Sequence, residues 1–432
     1  MSLSRSTWLI VTLLSVARAG LAQDSRRSLD LTVGGVGISI GDSRRVNGLR
    51  LNFRDSRLDK VNGINATIWT PYRDGHGDIT GLSLGLPATG GRHVNGLLAA
   101  FFGAEVSEDF GGISIAGLGV GVGNDAKGII IGGLGSGVGG SIRGAMVGGL
   151  GSGVGNDVEG IAIGGLGFGV GRNAKGILIG GLGAGIGGDV SGLAIGGLGI
   201  ASGGRFTGIM VGGLGVGSGG GGKGALIGGI GAGVGGAFEG LLIGGVGGGV
   251  GGMFRGVALT GVGMGVGGPF SGISIAGVGA GVGGAASGVM INGVGMGVGG
   301  DATGIFINGF GMGAGGTIRW LSINGFGVGA PRLEGLHLAG AAIGTPHAKG
   351  LMLAGLWLRI REDEGRFRSR EALFEGVGAS AFNQVLGHQK GLTIGLINYA
   401  WSLSGVQLGL LNIVRDNPPA RRILPIVNWG NR

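Results

Sequence analysis

The chain has 432 residues, of which 118 are glycine, with 8 prolines, no cysteine and an apolar fraction of 43%. So much apolar content excludes a polar flexible linker, and the lack of a three-residue beat and of abundant proline excludes collagen. The formal net charge of +9 is concentrated at the ends: residues 112 to 330 carry eight Lys/Arg and six Asp/Glu, while arginines cluster at 44, 45, 50, 54 and 57 and again at 359, 361, 366, 368 and 370. Such ends read first as scattered surface charge and second as a contact for anionic envelope polymer or lipid headgroups; nucleic acid is not an expected partner.

Residues 1–22 place Arg5 before the apolar run Trp8 to Leu14 and end on the small residues Gly20 and Ala22, the build of a secretory signal peptide cleaved near Ala22. The run is shorter than the roughly 20 apolar residues of a membrane span. Without cysteine there are no disulfides, thiolate metal sites or cysteine-linked lipid, so stability rests on side-chain contacts and backbone hydrogen bonds.

Residues 23–111 are irregular repeats with glycines at 48, 63, 81 and 96, and residues 112–357 are regular ones. Anchoring glycines fall every sixteen residues from Gly112 through Gly128, Gly144 and Gly160 to Gly304, with Trp320 in the next place and Gly335 and Gly350 after it. Within a unit such as 128–144, alternation of apolar residues predicts two short strands joined by a corner at Gly132 and Gly133, followed by a turn. Ile129 and Ile131 are expected to face the core. Ile130, Met146, Leu178, Met210, Leu226, Leu242, Met290 and Phe306 are then expected to form an apolar outer stripe offered to a partner.

A beat kept without slippage lets each coil lie on the previous one, so the predicted fold is all-β, a parallel β-solenoid of about sixteen-residue coils at a rise of about 4.8 Å. Roughly twenty such coils would form a single rod on the order of 100 Å long. Rows of like residues support it: Leu134, Leu150, Leu166 and their successors, Phe238 with Phe254 and Phe270, and Asn292 with Asn308 and Asn324. The rival is an outer-membrane β-barrel of about eleven strand and five turn residues per repeat; against it stand few aromatics for girdles and glycine where a polar lumen is needed. Transmembrane helices are opposed by the glycine density.

Residues 358–375, containing LRIREDEGRFRSRE, read as a charged insert that interrupts the stack, and residues 376–432 as further repeats and a cap. There GLTIGLIN is followed fourteen residues later by GVQLGLLN and then by NP and PIVN, within 391–430. With the N-terminal units VNGLRLNF and VNGINATIW, these resemble the bacterial surface-repeat proteins first noted in leptospires and widespread in other diderm bacteria. The resemblance implies an exported or surface-exposed protein of uncharacterised role, with no catalytic residues to carry over.

Chemistry is sought and no site is assigned: no catalytic, cofactor-binding or metal residues are expected, and no cofactor. GSGGGGKG around Lys223 lacks the Ser or Thr of a phosphate loop, and G-x-G-x-x-G matches follow from composition. Asp125, Asp157, Asp189 and Asp301 lie in turns without the nine-residue spacing of calcium-binding rolls, and read as solvated turn residues. His76, His93, His337, His347 and His388 show no ligand spacing, and DGHGD at 74–78 reads as a loop. Lys127, Arg143, Glu159 and Lys175 form one charged row, which reads as a solvated edge. The expectation is a non-enzymatic structural or interaction protein at the cell surface or outer membrane of a diderm bacterium. Its candidate partners are a second copy, other envelope proteins or a membrane surface. A barrel acting as pore or anchor is the alternative.

Overall fold

The computed structural model describes residues 27–72, 76–362 and 372–431, so the leader reading of residues 1–22 lies outside the described residues. The chain falls into two compact units, Met1–Gly213 and Leu214–Arg432. The described residues of both are all-β, with one short 3-10 turn among them at Pro419–Arg421. Each is a parallel β-solenoid. In the first unit Gly128 pairs with Gly112 on one side and Gly144 on the other, and Gly144 with Gly160, all in the same direction and without slippage. The same holds in the second, where Gly240, Gly256 and Gly272 follow one another. Neighbouring strands of a membrane barrel of the expected kind alternate in direction, so the barrel is overturned and the interior is a filled side-chain core.

One coil consists of a seven-residue strand such as Ala126–Gly132, a bend at Gly133 and Leu134, a four-residue strand such as Gly135–Val138, and a turn. The anchoring glycine sits inside the longer strand. Gly128 has φ +126°, Gly176 likewise, and the looser glycines at 48, 63, 81, 96, 335, 350, 391 and 405 share this conformation. A Cβ at any of these would overlap the carbonyl oxygen of the anchor one coil earlier, as Gly176 would with Gly160. Two requirements therefore coincide here, a backbone angle that L side chains avoid and a backbone contact that leaves no room for a methyl group. Trp320, at φ +85°, is the exception.

The core lies on the opposite face of the longer strand from the one expected. Ile130, Met146, Leu178, Met210, Leu226, Leu242, Met290 and Phe306 are at most 1% exposed, whereas Ile129, Ile131 and Leu134 are 37–49% exposed. No parity shift occurs at Gly132 and Gly133. Even-numbered residues of the coil, Ala126, Ile130, Gly132, Ser136 and Val138, point inward, and Leu134 alone among them is turned out at the bend. Because parallel pairing sets each residue beside its counterpart, this assignment is handed unchanged from coil to coil, including the fifteen-residue coils where Ser322, His337 and Met352 are all buried.

Inward positions six residues apart compensate in volume. Met146 is followed by Ser152, Ala162 by Phe168, Leu178 by Ala184 and Ala194 by Ile200, all buried. A Cβ added at Gly248 would come within 2.5 Å of Leu242 Cδ2, which places the two positions in one space. In these coils large and small side chains alternate across the slender core, as a filled interior favours; further on the pairs Met290 with Met296 and Phe306 with Met312 are both large.

The two expected side-chain rows are present. Asn292 Nδ2 donates to Asn308 Oδ1 and Asn308 Nδ2 to Asn324 Oδ1, each at 3.0 Å. The rings of Phe238, Phe254 and Phe270 follow at centroid distances of 5.6 and 5.5 Å. The charged insert does not interrupt the ladder: Trp357–Ile360 is a strand in register with Ala342–Thr345, and Gly376 pairs with Gly350 across twenty-six positions of sequence. Residues 363–371 of that insert lie outside the described residues. Ser28–Val33 pairs antiparallel at the start of the first unit, and Ile423–Asn431 antiparallel at the end of the second.

Two glycines seven residues apart should respond oppositely to one methyl group. Gly176→Ala meets the Gly160 carbonyl at a forbidden angle and should cost more than about 2 kcal/mol or prevent folding. Gly169→Ala, where a Cβ meets nothing within 4 Å, should be neutral or stabilise by about 0.5–1 kcal/mol. Denaturant midpoints of the two variants check this. In the core, Ala162→Leu alone should cost about 1–3 kcal/mol and Phe168→Ala about 3–5 kcal/mol, yet the double variant, which recreates the Leu178 and Ala184 pair, should cost well below their sum. Additive losses across that cycle would show that the two positions do not share space.

Candidate functional surface

The exposed side chains sort into a charged corner and an apolar face. At the corner, Lys127, Arg143, Glu159 and Lys175 are brought into one row by the register. Arg143 lies 3.3 Å and Lys175 3.5 Å from the Glu159 carboxylate, all with most of their side chains in solvent. Exposed pairs of this kind contribute at most about 1 kcal/mol, and the row is a mixed-charge edge rather than a desolvated catalytic pocket.

The turn aspartates do more than face solvent. Asp125 Oδ1 accepts the Ser141 backbone N–H at 2.7 Å, Asp157 Oδ1 that of Asn173 at 3.0 Å, Asp189 Oδ1 that of Arg205 at 2.6 Å, and Asp301 Oδ1 that of Thr317 at 2.8 Å. Asn173 continues the series to Asp189 at 2.9 Å. Each link runs sixteen residues forward and ties one turn to the next. The N–H of Thr317, with Arg319 nearby, holds the Asp301 carboxyl below its usual range. Among the described residues no group of three or more His, Asp or Glu side chains is arranged to hold a metal ion.

One cluster escaped the search for ligand spacing because its members are fifteen residues apart. His93 Nδ1 lies 3.0 Å from Asp78 and its Nε2 3.0 Å from Glu108, with Asp109 at 3.7 Å. Burial works against ionisation of Asp78, but hydrogen bonds from His93 and Arg92 outweigh it and lower its pKa. The imidazole bridges two carboxylates on an exposed corner and does not converge with them on a common point. His388 Nδ1 meets Ser402 at 2.9 Å. The DGHGD segment lies partly outside the described residues, from which residues 73–75 are missing.

The N-terminal arginines divide. Arg44 and Arg45 approach Asp59 at the rim of a cleft of about 460 Å³ that Lys60 and Arg92 also line. Arg54 stacks on Tyr72 at 3.7 Å. Arg50, expected among surface charges, is fully buried: it pairs with Asp55, donates to Asn65 at 3.0 Å and Asp42 at 3.3 Å, and reaches the Ser43 carbonyl at 3.1 Å. A buried guanidinium is tolerable only with this complete a set of acceptors.

The apolar face comprises the outward residues of the longer strand and the bend. Ile129, Ile161 and Ile177 stack in one row, Ile115 and Ile131 in a second, and Leu134, Leu150, Leu166, Leu182 and Leu198 in a third, successive leucine backbones being bonded at 2.6–2.7 Å. On the first coils this face hollows into an apolar trough of about 1180 Å³, lined by Leu51, Phe53, Ile68, Leu84, Leu86 and Phe101. Contiguous exposed apolar surface of this extent is uncommon on a monomer. No family model, curated protein or solved structure matches the chain.

His337 supplies a pH response. It is fully buried, with Nδ1 2.8 Å from the Ser322 hydroxyl, and burial pushes its pKa from 6.5 to about 4. The unfolded chain then binds the extra proton between those values, so this contribution is fully present above pH 6.5 and is lost as pH falls toward 4, by about 2–3 kcal/mol. His337→Met, copying the neighbouring Met352 of the same row, should flatten the slope of stability against pH over that interval in urea titrations; an unchanged slope would assign the acid sensitivity elsewhere.

Proposed function

We propose that this chain is a non-enzymatic structural or interaction protein, exported to the envelope of a diderm bacterium, where it presents a long repetitive surface. The observation that carries the reading is the outward apolar face. Its rows recur in register coil after coil, so what the molecule offers a partner is an array of equivalent positions and not a single pocket. Several charged residues of the regular coils, Arg143, Glu159, Lys175, Lys223 and Glu239 among them, stand in exposed ion pairs between coils, and turn aspartates such as Asp189 accept backbone N–H groups of the next turn, which are roles in holding coils together. Export is supported by the build of residues 1–22, and a surface location by the resemblance of residues 391–430 to the leptospiral-type repeats. The pore alternative needed a barrel, and falls with it.

Location is the test. A C-terminally tagged chain expressed in a diderm host should fractionate with the envelope and, on intact cells, be open to added protease. The same chain starting at residue 23 behind a new methionine should remain in the cytosol. A full chain recovered from the cytosolic fraction would overturn the reading.

A further inference from the structure

We infer that the apolar face of the first unit, from the coil of Ile113 to that of Ile209, is the contact surface for a second copy of this chain. The inference rests on the reading of an interaction protein and names its partner. Between those two residues thirteen aliphatic side chains are 37–50% exposed. At on the order of 80 Å² each they present about 1,000 Å² of apolar surface over the longer strand and the bend, beyond the few hundred Å² usual on a monomer, and the six bend leucines from Leu118 to Leu198 supply about half of it.

The relief of the surface selects the occupant. The bend leucines, Leu134, Leu150 and Leu166 among them, form a ridge. The next strand along the coil turns Gly137, Gly153, Gly169 and Gly185 outward, where a Cβ would meet nothing within 4 Å. Neither a backbone angle nor a clash inside the chain requires glycine in that row, unlike the anchors. Its effect is a bare shelf beside the ridge. A second copy turned about a two-fold axis sets its own leucine ridge on this shelf and receives the first ridge on its own, with identical rise along both. A partner of any other pitch would fall out of step with the rows after a few coils.

Charge separates this occupant from a bilayer. Residues 110 to 213 carry five Lys/Arg and four Asp/Glu, all at the corner or the turns and none in the isoleucine, leucine or glycine rows. Adsorption to anionic lipid needs a basic excess flanking the apolar face, and interfacial anchoring favours Trp and Tyr, neither of which occurs in this stretch. A near-neutral rim instead lets two like surfaces meet without repulsion.

Sedimentation equilibrium of the purified full chain at micromolar concentration should show a dimer. Gly153→Val with Gly169→Val and Gly185→Val fills the shelf with side chains that the single chain accommodates, and should weaken the dimer roughly tenfold or more while leaving the far-ultraviolet spectrum unchanged. Leu150→Glu with Leu166→Glu should do the same from the ridge side. Because the chain has no cysteine, single variants Leu134→Cys, Leu150→Cys and Leu166→Cys add a readout independent of stability: a short bis-maleimide should link at least one of them into dimers, and Ser141→Cys in the turn should stay unlinked. A wild-type monomer, or a dimer indifferent to both sets of substitutions, would overturn the inference. So would flotation of the chain with phosphatidylethanolamine and phosphatidylglycerol vesicles that the added valines strengthen, since a bilayer gains from apolar bulk where a fitted copy loses. Envelope fractionation is scored separately, so a monomer at the envelope and a dimer in the cytosol are distinct failures.

Discussion

Apart from the place taken by Trp320, the anchor column is glycine, because successive backbones meet there at carbonyls such as those of Gly112, Gly128, Gly144 and Gly160 and leave no room for a Cβ. This close approach sets the register of everything else. Coils of other lengths keep the same pairing, as the fifteen-residue steps from Trp320 to Gly335 and Gly350 show, and at the charged insert the next anchor, Gly376, takes its place over Gly350 although twenty-six positions separate them, so differences in length fall outside the paired strands. The anchor register then fixes inside and outside for each strand, whatever the number of residues in the turns. Glycine is thus used twice with different meaning, once where geometry forbids anything larger and once, in the Gly137 row, where geometry permits it.

The repeat, the parallel stacking, and the asparagine and phenylalanine rows were legible in the sequence because they are recurrences of identity, and identity at a fixed spacing needs no knowledge of the interior. The orientation of the longer strand was not legible by hydrophobicity. Its outward residues, Ile129, Ile161 and Ile177, are more apolar than several inward ones, such as Ser114, Ala162 and Ala194. What distinguishes the faces is variance. In the coils from Met146 to Ile200 the inward row changes size from coil to coil and is balanced six residues later, whereas the outward rows stay aliphatic, mostly isoleucine or leucine with an occasional alanine such as Ala145. The compensation from Ala162 to Phe168 and from Leu178 to Ala184 is visible in the letters once it is asked for.

Contacts between polar groups were legible only in part, for a related reason. Motif spacing along one chain segment finds ligands on helices and hairpins, but in this fold neighbours in space are fifteen or sixteen residues apart. Asp78, His93 and Glu108 escape a search at short spacing and are obvious at the period of the coil. The turn aspartates read as solvated turn residues, yet their bonds to backbone N–H groups of the following turn depend on an acceptor reaching across one layer, which composition cannot reveal. Arg50 resembled its surface neighbours Arg44 and Arg45 in sequence; only the convergence of Asp42, Asp55 and Asn65 on one interior point sets it apart.

A parallel ladder has a standing hazard, since its terminal coil offers unpaired backbone groups to any similar chain. Among the described residues the first strand of the first unit, Ser28–Val33, and the last strand of the second, Ile423–Asn431, each run antiparallel to their neighbour. A short reversed strand does not present the outline of another sixteen-residue coil, so it is a poor template for continued stacking. The broad flank is left without such protection: apolar rows stand in solvent with no charge set among them, although a single lysine per few coils would suffice to discourage contact. Blocking association at the ends while leaving the flank uniform and apolar directs contact sideways. That asymmetry between guarded ends and an open flank is what a surface meant to be covered would show, and a surface selected only for solubility would not.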